Sequence, residues 1–392
     1  MQIHPLITDS KTLADLCARL ARSPFVAVDT EFMRENSYWP ELCLIQIADA
    51  NEAAAIDPMA DIDLAPLLDL LVGNEDVLKV FHAGGQDIEI VHNMTGKTPH
   101  PMFDTQIAAM ALGQGDQVGY SNLVDSWLGI TLDKGARFTD WSRRPLDKRQ
   151  IDYAIGDVTH LARIFPKMLE KLRKTGRGEW LDQEMERIAD PANYVNEPDL
   201  AWHRVKVPSR KPEVLGRLKA LAAWREREAQ NKNLPRGRIV KDETLADIAS
   251  HPPRAQTDLS RVRGLSASWG GNDIGGRLMG ALAAAVPLPA GEMPARDDRK
   301  PGLGREGSLV ADLLKLLLKI RAREINVAPR LLARTEELEL LAAGQRGGLA
   351  ILEDWRFDQF GRDALALVEG RLAFAVRAGK LVMTRAEAQG VD

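Results

Sequence analysis

Phe25-Val26-Ala27-Val28-Asp29-Thr30-Glu31 is the stretch that decides the fold. A short apolar run ends in two carboxylates separated by one residue. Residues two apart on a strand point to the same face, so Asp29 and Glu31 converge at a sheet edge. Taking two carboxylates out of water beside a strand end is costly unless a cation compensates them. Oxygen ligands of this kind suit Mg²⁺ or Mn²⁺. The spacing alone is a weak signal, since Asp87/Glu89 and Asp182/Glu184 repeat it. The apolar strand immediately before Asp29 is what separates this pair from the other two.

Outward from that strand, helical periodicity at 11–21 precedes it and apolar runs at 42–48, 53–56 and 78–81 follow it, the last closed by Gly84-Gly85. Helices are predicted at 86–93, 105–112, 121–128 and 148–173. Strands early and helices late give an α/β domain with a mixed central sheet covered by helices. Past residue 193 the strand signals stop. A long helix is expected at 210–231 and another from Asp242, with Asp242 as its N-cap. Residues 271–285 close that unit. Four prolines and a charge run mark a linker, and a strongly amphipathic segment at 309–325 opens a last helical unit. The domains are read as 1–192 (α/β), 207–286 (all-α), 287–306 (linker) and 307–385 (all-α). The two helical units, about 80 residues each, suggest a diverged internal duplication.

The chain has 392 residues, 45% hydrophobic and 28% charged, which fits two or three globular domains. No apolar run approaches the roughly 18 residues of a membrane span, and the N-terminus shows no signal-peptide pattern. Cys17 and Cys43 form no CxxC pair, which argues against structural zinc and for reduced thiols in a cytoplasmic protein. The net charge of −4 does not advertise nucleic-acid binding, but residues 201–241 carry twelve Lys/Arg against Glu213, Glu226 and Glu228. That local excess is either a phosphate-docking surface or a solvated helix with internal ion pairs.

Two further elements join Asp29 and Glu31. Asp87 follows Phe81-His82-Ala83-Gly84-Gly85-Gln86 and falls in the first turn of a helix, where the helix dipole favours an acid. In Tyr153-Ala154-Ile155-Gly156-Asp157, the i and i+4 positions share a face, so Tyr153 and Asp157 reach one cavity. His160, one turn on, reads as a helix-surface histidine. Four acids and a tyrosine in this order resemble the DEDD exonuclease superfamily, in its tyrosine-bearing DEDDy branch. The segments 25–32, 42–49, 79–91, Phe103-Asp104-Thr105-Gln106, Asp140-Trp141 with Arg144-Pro145-Leu146, and 153–161 are similar to the ribonuclease D family. Ala223-Trp224-Arg225, Pro235-Arg236-Gly237 and Asp242-Glu243-Thr244-Leu245 resemble an HRDC module. Ala328-Pro329-Arg330 and Gly361-Arg362-Asp363-Ala364-Leu365 resemble a second one.

The resemblance implies a ribonuclease-H-like (DnaQ-like) exonuclease domain followed by two all-α HRDC-like domains. It implies two divalent metal ions (Mg²⁺ or Mn²⁺) held by Asp29, Glu31, Asp87 and Asp157, with Tyr153 orienting the attacking water. The expected substrate is the single-stranded 3′ end of RNA, tRNA precursors in the first instance, trimmed to nucleoside 5′-monophosphates by a monomeric enzyme. Thr30 and His82 are candidate substrate contacts. Phe32, Met33, Tyr38 and Trp39 are placed to stack on terminal bases, and Lys134, Arg137 and Arg144 to meet phosphates. Three alternatives stay open: a DNA-directed exonuclease of the same superfamily, a non-catalytic nucleic-acid binder, and a helicase accessory without a motor, since no G-x-x-x-x-G-K-[ST] loop occurs.

Overall fold

The computed structural model describes residues 1–133, 135, 139–293 and 303–385. Six strands form one mixed sheet: β1 (Gln2–Ile3), β2 (Phe25–Met33), β3 (Glu41–Ala48), β4 (Glu52–Ile56), β5 (Leu78–Phe81) and β6 (Met102–Asp104), in the order β1-β4-β3-β2-β5-β6. The central β2 pairs antiparallel with β3 and parallel with β5. β1 and β6 have two and three residues, too few to show a period of their own in the sequence. Helices α1 (Ser10–Leu20), α2 (Ala65–Val72) and α3 (Gly85–Thr95) cover one face. Helices α4 (Thr105–Ala111), α5 (Tyr120–Leu128) and α6 (Lys148–Thr175) cover the other, with α7 (Asp182–Ala189) against β6.

The pleat of β2 sorts its side chains. Val26 and Val28 pack with α1 to α3, whereas Phe25 and Ala27 pack toward α6. Asp29 and Glu31 continue the α6 side of that alternation. Buried Ala27, Ala48, Ala53 and Ala55 keep this face low, so α6 lies close to the sheet. A capping box starts α6: Asp147 accepts from the Gln150 N–H at 2.8 Å and Gln150 accepts from the Asp147 N–H at 3.0 Å.

The two helical units share an order of parts. The first runs α8 (Pro212–Lys232), α9 (Arg236–Ile239), α10 (Asp242–Ser250) and α11 (Asp273–Ala283). The second runs α12 (Arg305–Glu324), α13 (Pro329–Leu332), α14 (Thr335–Ala342), α15 (Asp354–Arg356) and α16 (Arg362–Val368). Each long helix is followed by an asparagine in the left-handed region, Asn233 (φ 48°) and Asn326 (φ 52°). Each unit also presses a late glycine against a carbonyl. A β-carbon on Gly275 would sit 1.9 Å from the Trp269 oxygen, and one on Gly361 1.9 Å from the Ile351 oxygen.

Several expectations need correction. The last unit is not all-α: it ends in a hairpin of β7 (Leu372–Arg377) and β8 (Lys380–Arg385), whose strands alternate too little polarity to stand out. Parts of the expected linker belong to the helical units. Leu288 is buried and its N–H donates to the Pro212 carbonyl at 2.9 Å, while α12 already begins at Arg305. Asp242 is not the N-cap of α10; Lys241 is, and Asp242 instead accepts from buried Arg225 at 2.6 Å.

Both units are fastened to the sheet domain. Tyr38 and Trp39, read as base-stacking residues, point the other way. Their N–H groups donate to Asn233 Oδ1 at 3.1 and 3.0 Å, and the Tyr38 hydroxyl donates to Glu226. Arg236 lies over the Tyr38 ring and pairs with Glu226 at 2.5 Å. An amphipathic ring beside an Arg–Glu pair gains more from this pocket than from water. At the other unit, Trp180 and Trp355 stack with centroids 4.5 Å apart, and Arg356 reaches Glu184 at 2.9 Å and Gln183 at 2.7 Å.

Arg144 is likewise structural. Its guanidinium spans Asp57 with two bonds of 2.6 and 2.7 Å and also donates to the Cys43 and Trp141 carbonyls. These bonds occupy the fork that a phosphate would need, so the expected phosphate contact gives way to a staple between the sheet and the loop before α6. Arg144→Ala should lower unfolding stability by roughly 2–4 kcal/mol, because Asp57 is left buried and unpaired. Arg144→Lys should recover little, having no planar fork. Urea denaturation measures both; unchanged midpoints with weakened RNA binding would restore the phosphate role.

Candidate active site

Asp29 and Glu31, part-way along β2, meet Asp157 of α6, with one ligand oxygen from each lying within 4.8 Å of the others. The DxE pair comes from the strand pleat and Asp157 from the helix above it. Tyr153, one turn before Asp157, lines the same cavity of about 370 Å³, together with His82, Gln106, Tyr120 and Asn122. Helical spacing thus brings Tyr153 and Asp157 to one wall, as their separation by four residues requires.

Asp87 enters from the opposite face. It sits in the first turn of α3, and its carboxylate accepts a bond from the Thr30 hydroxyl. Thr30 is buried, and its hydroxyl holds Asp87 rather than facing a substrate. The loop before α3 is tied down by hydrogen bonds and close packing. The Ala83 and Gly84 N–H groups donate to the Asp104 carboxylate at 3.1 and 2.9 Å, and a β-carbon on Gly84 would fall 2.5 Å from that of Phe81. Only glycine permits this approach.

The electrostatics are those of acids forced together. Burial holds the Asp29 carboxyl well above the ordinary range, and the charges of Asp87, Asp157 and Glu31 push the same way. Burial also pushes Asp87 up to about 7, against the pull of the Thr30 hydroxyl. Like charges gathered in a desolvated site fit a bound cation, and an all-carboxylate donor set fits a hard divalent one. Asp29, Glu31 and Asp157 form a cluster that could hold such an ion, with Asp87 bonded to Thr30 beside it.

The remaining sequence candidates divide. His82 lines the cavity, but its ring nitrogens meet the Thr105 hydroxyl at 2.9 Å and the Val118 carbonyl at 3.0 Å, so it builds the wall. Burial lowers its pKa, which keeps the ring neutral at physiological pH. Phe32 is half-buried past a register shift that separates it from Glu31. Met33 packs against the cluster of Cys43, Leu44 and Trp141. Lys134 and Arg137 lie outside the described residues. Much of the basic excess at 201–241 is spent internally, on Arg225–Asp242, Arg227–Asp199, Lys232–Glu228 and Arg236–Glu226. Tyr120 was missed by sequence reading. Its hydroxyl donates to the Asp157 carbonyl and lies 3.3 Å from that of Gly156, fixing α6 where it bears the acid. Nothing local marks Tyr120, because the contact joins α5 to α6.

The chain is similar to known proteins over nearly its whole length. Residues 5–173 match the 3′-5′ exonuclease family, and residues 214–273 match the HRDC domain family. The chain is 75% identical over 388 residues to the ribonuclease D of Sphingobium indicum, covering 99% of this chain and 100% of that one. It is 66% identical over 388 residues to the ribonuclease D of Zymomonas mobilis, with the same coverage. The crystal structure of Escherichia coli RNase D, described as an exoribonuclease involved in structured RNA processing, superposes with a TM-score of 0.76 at 29% identity, over 94% of this chain and 99% of that one.

Asp29 and Asp87 each bind a proton more tightly folded than unfolded. In metal-free protein their contribution to stability is therefore complete below about pH 4, the unfolded carboxylate range, and is lost as pH rises, for Asp87 through about 7. Melting temperature in a chelator should fall from about pH 5 to about pH 8, and Mn²⁺ should flatten that fall. Asp87→Asn should also flatten it. An identical slope in all three samples would remove the case for a repulsive acid cluster.

Proposed function

The chain belongs to the ribonuclease D family and is a 3′-5′ exoribonuclease, and on that premise we propose that it trims single-stranded 3′ ends of structured RNA, tRNA precursors among them, at the Asp29–Glu31–Asp157 cluster. The observation that carries this reading is the clustering of Asp29, Glu31 and Asp157, with Asp29, Asp157 and Tyr153 lining one cavity. Two divalent ions, Mg²⁺ or Mn²⁺, are to be held by Asp29, Glu31 and Asp157, with Asp87 completing the set. Bound there, such ions acidify the attacking water and stabilise the leaving 3′-oxygen.

The protein's own groups do the rest. Asp29 and Glu31 share a strand face, so their separation is set by the backbone and not by rotamer choice. Asp157 is fixed from α6, whose position Tyr120 secures. Tyr153 is assigned to orienting the water through its hydroxyl, since a phenol with an ordinary pKa near about 10 is a poor base at neutral pH. The last terminal nucleoside is to lie in the cavity beside Gln106 and Asn122.

The order of helices, left-handed asparagines and pressed glycines supports reading 307–385 as a second, diverged HRDC-like unit. RNA contact by the first unit is assigned to the exposed Lys206, Lys211 and Lys241, because its other cations are largely paired. We take the enzyme to act as a monomer in the cytoplasm. Among the described residues no helix is long and apolar enough to cross a membrane, and Cys17 and Cys43 are buried free thiols.

Purified protein with Mg²⁺ or Mn²⁺ should release nucleoside 5′-monophosphates from end-labelled RNA, and faster than from matched DNA. A preference for DNA would assign it to the DNA-directed branch; binding without release would make it a binder. Asp29→Ala should abolish cleavage while leaving RNA affinity within about threefold, because backbone contacts supply most of the binding. Tyr153→Phe should slow turnover roughly tenfold to a hundredfold with metal affinity intact; unchanged turnover would show the hydroxyl is idle.

A further inference from the structure

Gln46 is fully buried, and neither its Nε2 nor its Oε1 has a hydrogen-bond partner among the described residues. Its place makes this notable. In the β2–β3 ladder Gln46 is directly opposite Asp29, and across β4 it is opposite Ala55. Directly opposed residues share a sheet face, with β-carbons about 4.5–5.5 Å apart. Gln46 therefore lies on the α6 side, beside the acid that the cluster depends on. Of its other near neighbours on that face, Ala27, Leu44, Ala48, Ala53 and Ala55 have no polar side-chain atom to offer, and Glu31 is an acid like Asp29. The charges acting most strongly on Asp29 are all negative: Asp87, Asp157 and Glu31.

A buried amide without a partner lowers stability, and an apolar residue of the same shape would remove that cost. Departures of this kind concentrate where function, not folding, sets the residue. We propose that Gln46 is a positioning residue for phosphodiester cleavage: its amide is the polar wall that keeps the Asp29 carboxylate turned toward Glu31 and Asp157, donating from Nε2 in the loaded site. The inference rests on reading Asp29 as a cation ligand.

The geometry suits the task. A carboxylate on a strand can rotate about its own side-chain bonds, and Glu31 and Asp157 only repel it. A donor on the neighbouring strand fixes one oxygen and leaves the other for a cation. Outer groups that orient metal ligands in this way commonly change affinity or turnover by about 10–100-fold when lost. An uncharged amide does so without adding a cation that would compete with the metal.

Gln46→Met keeps length and apolar volume and deletes the donor; Gln46→Leu serves as a second, shorter variant. Each is compared with wild type in three measurements: urea unfolding of metal-free protein, calorimetric Mn²⁺ binding, and steady-state cleavage of single-stranded RNA. The expected result is unfolding at equal or higher urea, Mn²⁺ affinity lower by about tenfold, and kcat lower by about tenfold with KM within about twofold. Stable variants with wild-type Mn²⁺ affinity and kcat would overturn the proposal. So would variants that unfold earlier or do not fold, since Gln46 would then be serving the core. Asp29→Ala binding Mn²⁺ as well as wild type would refute the ligand reading itself, whatever Gln46 does.

Discussion

Repulsion among clustered carboxylates is the constraint around which the catalytic domain is arranged. Asp29, Glu31 and Asp157 lie within a few ångströms of one another, Asp157 buried and the other two half-buried, and left alone they would separate. What holds them is backbone: the pleat of β2 for the pair, and a 28-residue helix for the third. α6 is in turn fixed at several points. A capping box sets where it starts, low alanines on the sheet set how close it lies, and the Tyr120 hydroxyl secures the turn that carries Asp157. Strain at the site is thus balanced by packing well away from it, the usual way a fold accommodates an unfavourable constellation.

The helical units extend that rigidity outward. The loop that follows the catalytic strand is anchored by Tyr38 and Trp39 to Asn233, Glu226 and Arg236 of the first unit. The end of β2 is therefore held on both sides, by its own sheet and by a neighbouring domain. The second unit attaches at the other end of the chain's central region, through Arg356 on Glu184 and Gln183 near α7. Charge that looks available for nucleic acid in the sequence is partly consumed in making these joints.

How much of this was legible follows from the range of each interaction. The strand, its DxE pair and the Tyr-x-x-x-Asp helix could be read because each is a local period with a chemical signature. The mixed sheet followed from the alternation of runs. By contrast, Arg144, Tyr38 and Trp39 were assigned to RNA because exposed-looking Arg and aromatic residues near a catalytic motif carry that chemistry; their partners, Asp57, Asn233 and Glu226, are far away in sequence. Thr30 was misread for a similar reason, since only the arrival of α3 shows that its hydroxyl belongs to Asp87. Tyr120 left no trace, and the hairpin at the end of the last unit was hidden by weak alternation.

The parallel indoles of Trp180 and Trp355 have an optical consequence. Rings 4.5 Å apart and tilted by only 4° couple electronically, and the two belong to different domains. Near-ultraviolet dichroism, which vanishes when side chains lose fixed partners, is thereby tied at this point to one event: the seating of the last unit against the catalytic one. The molecule carries at this joint a gauge of assembly readable without any label.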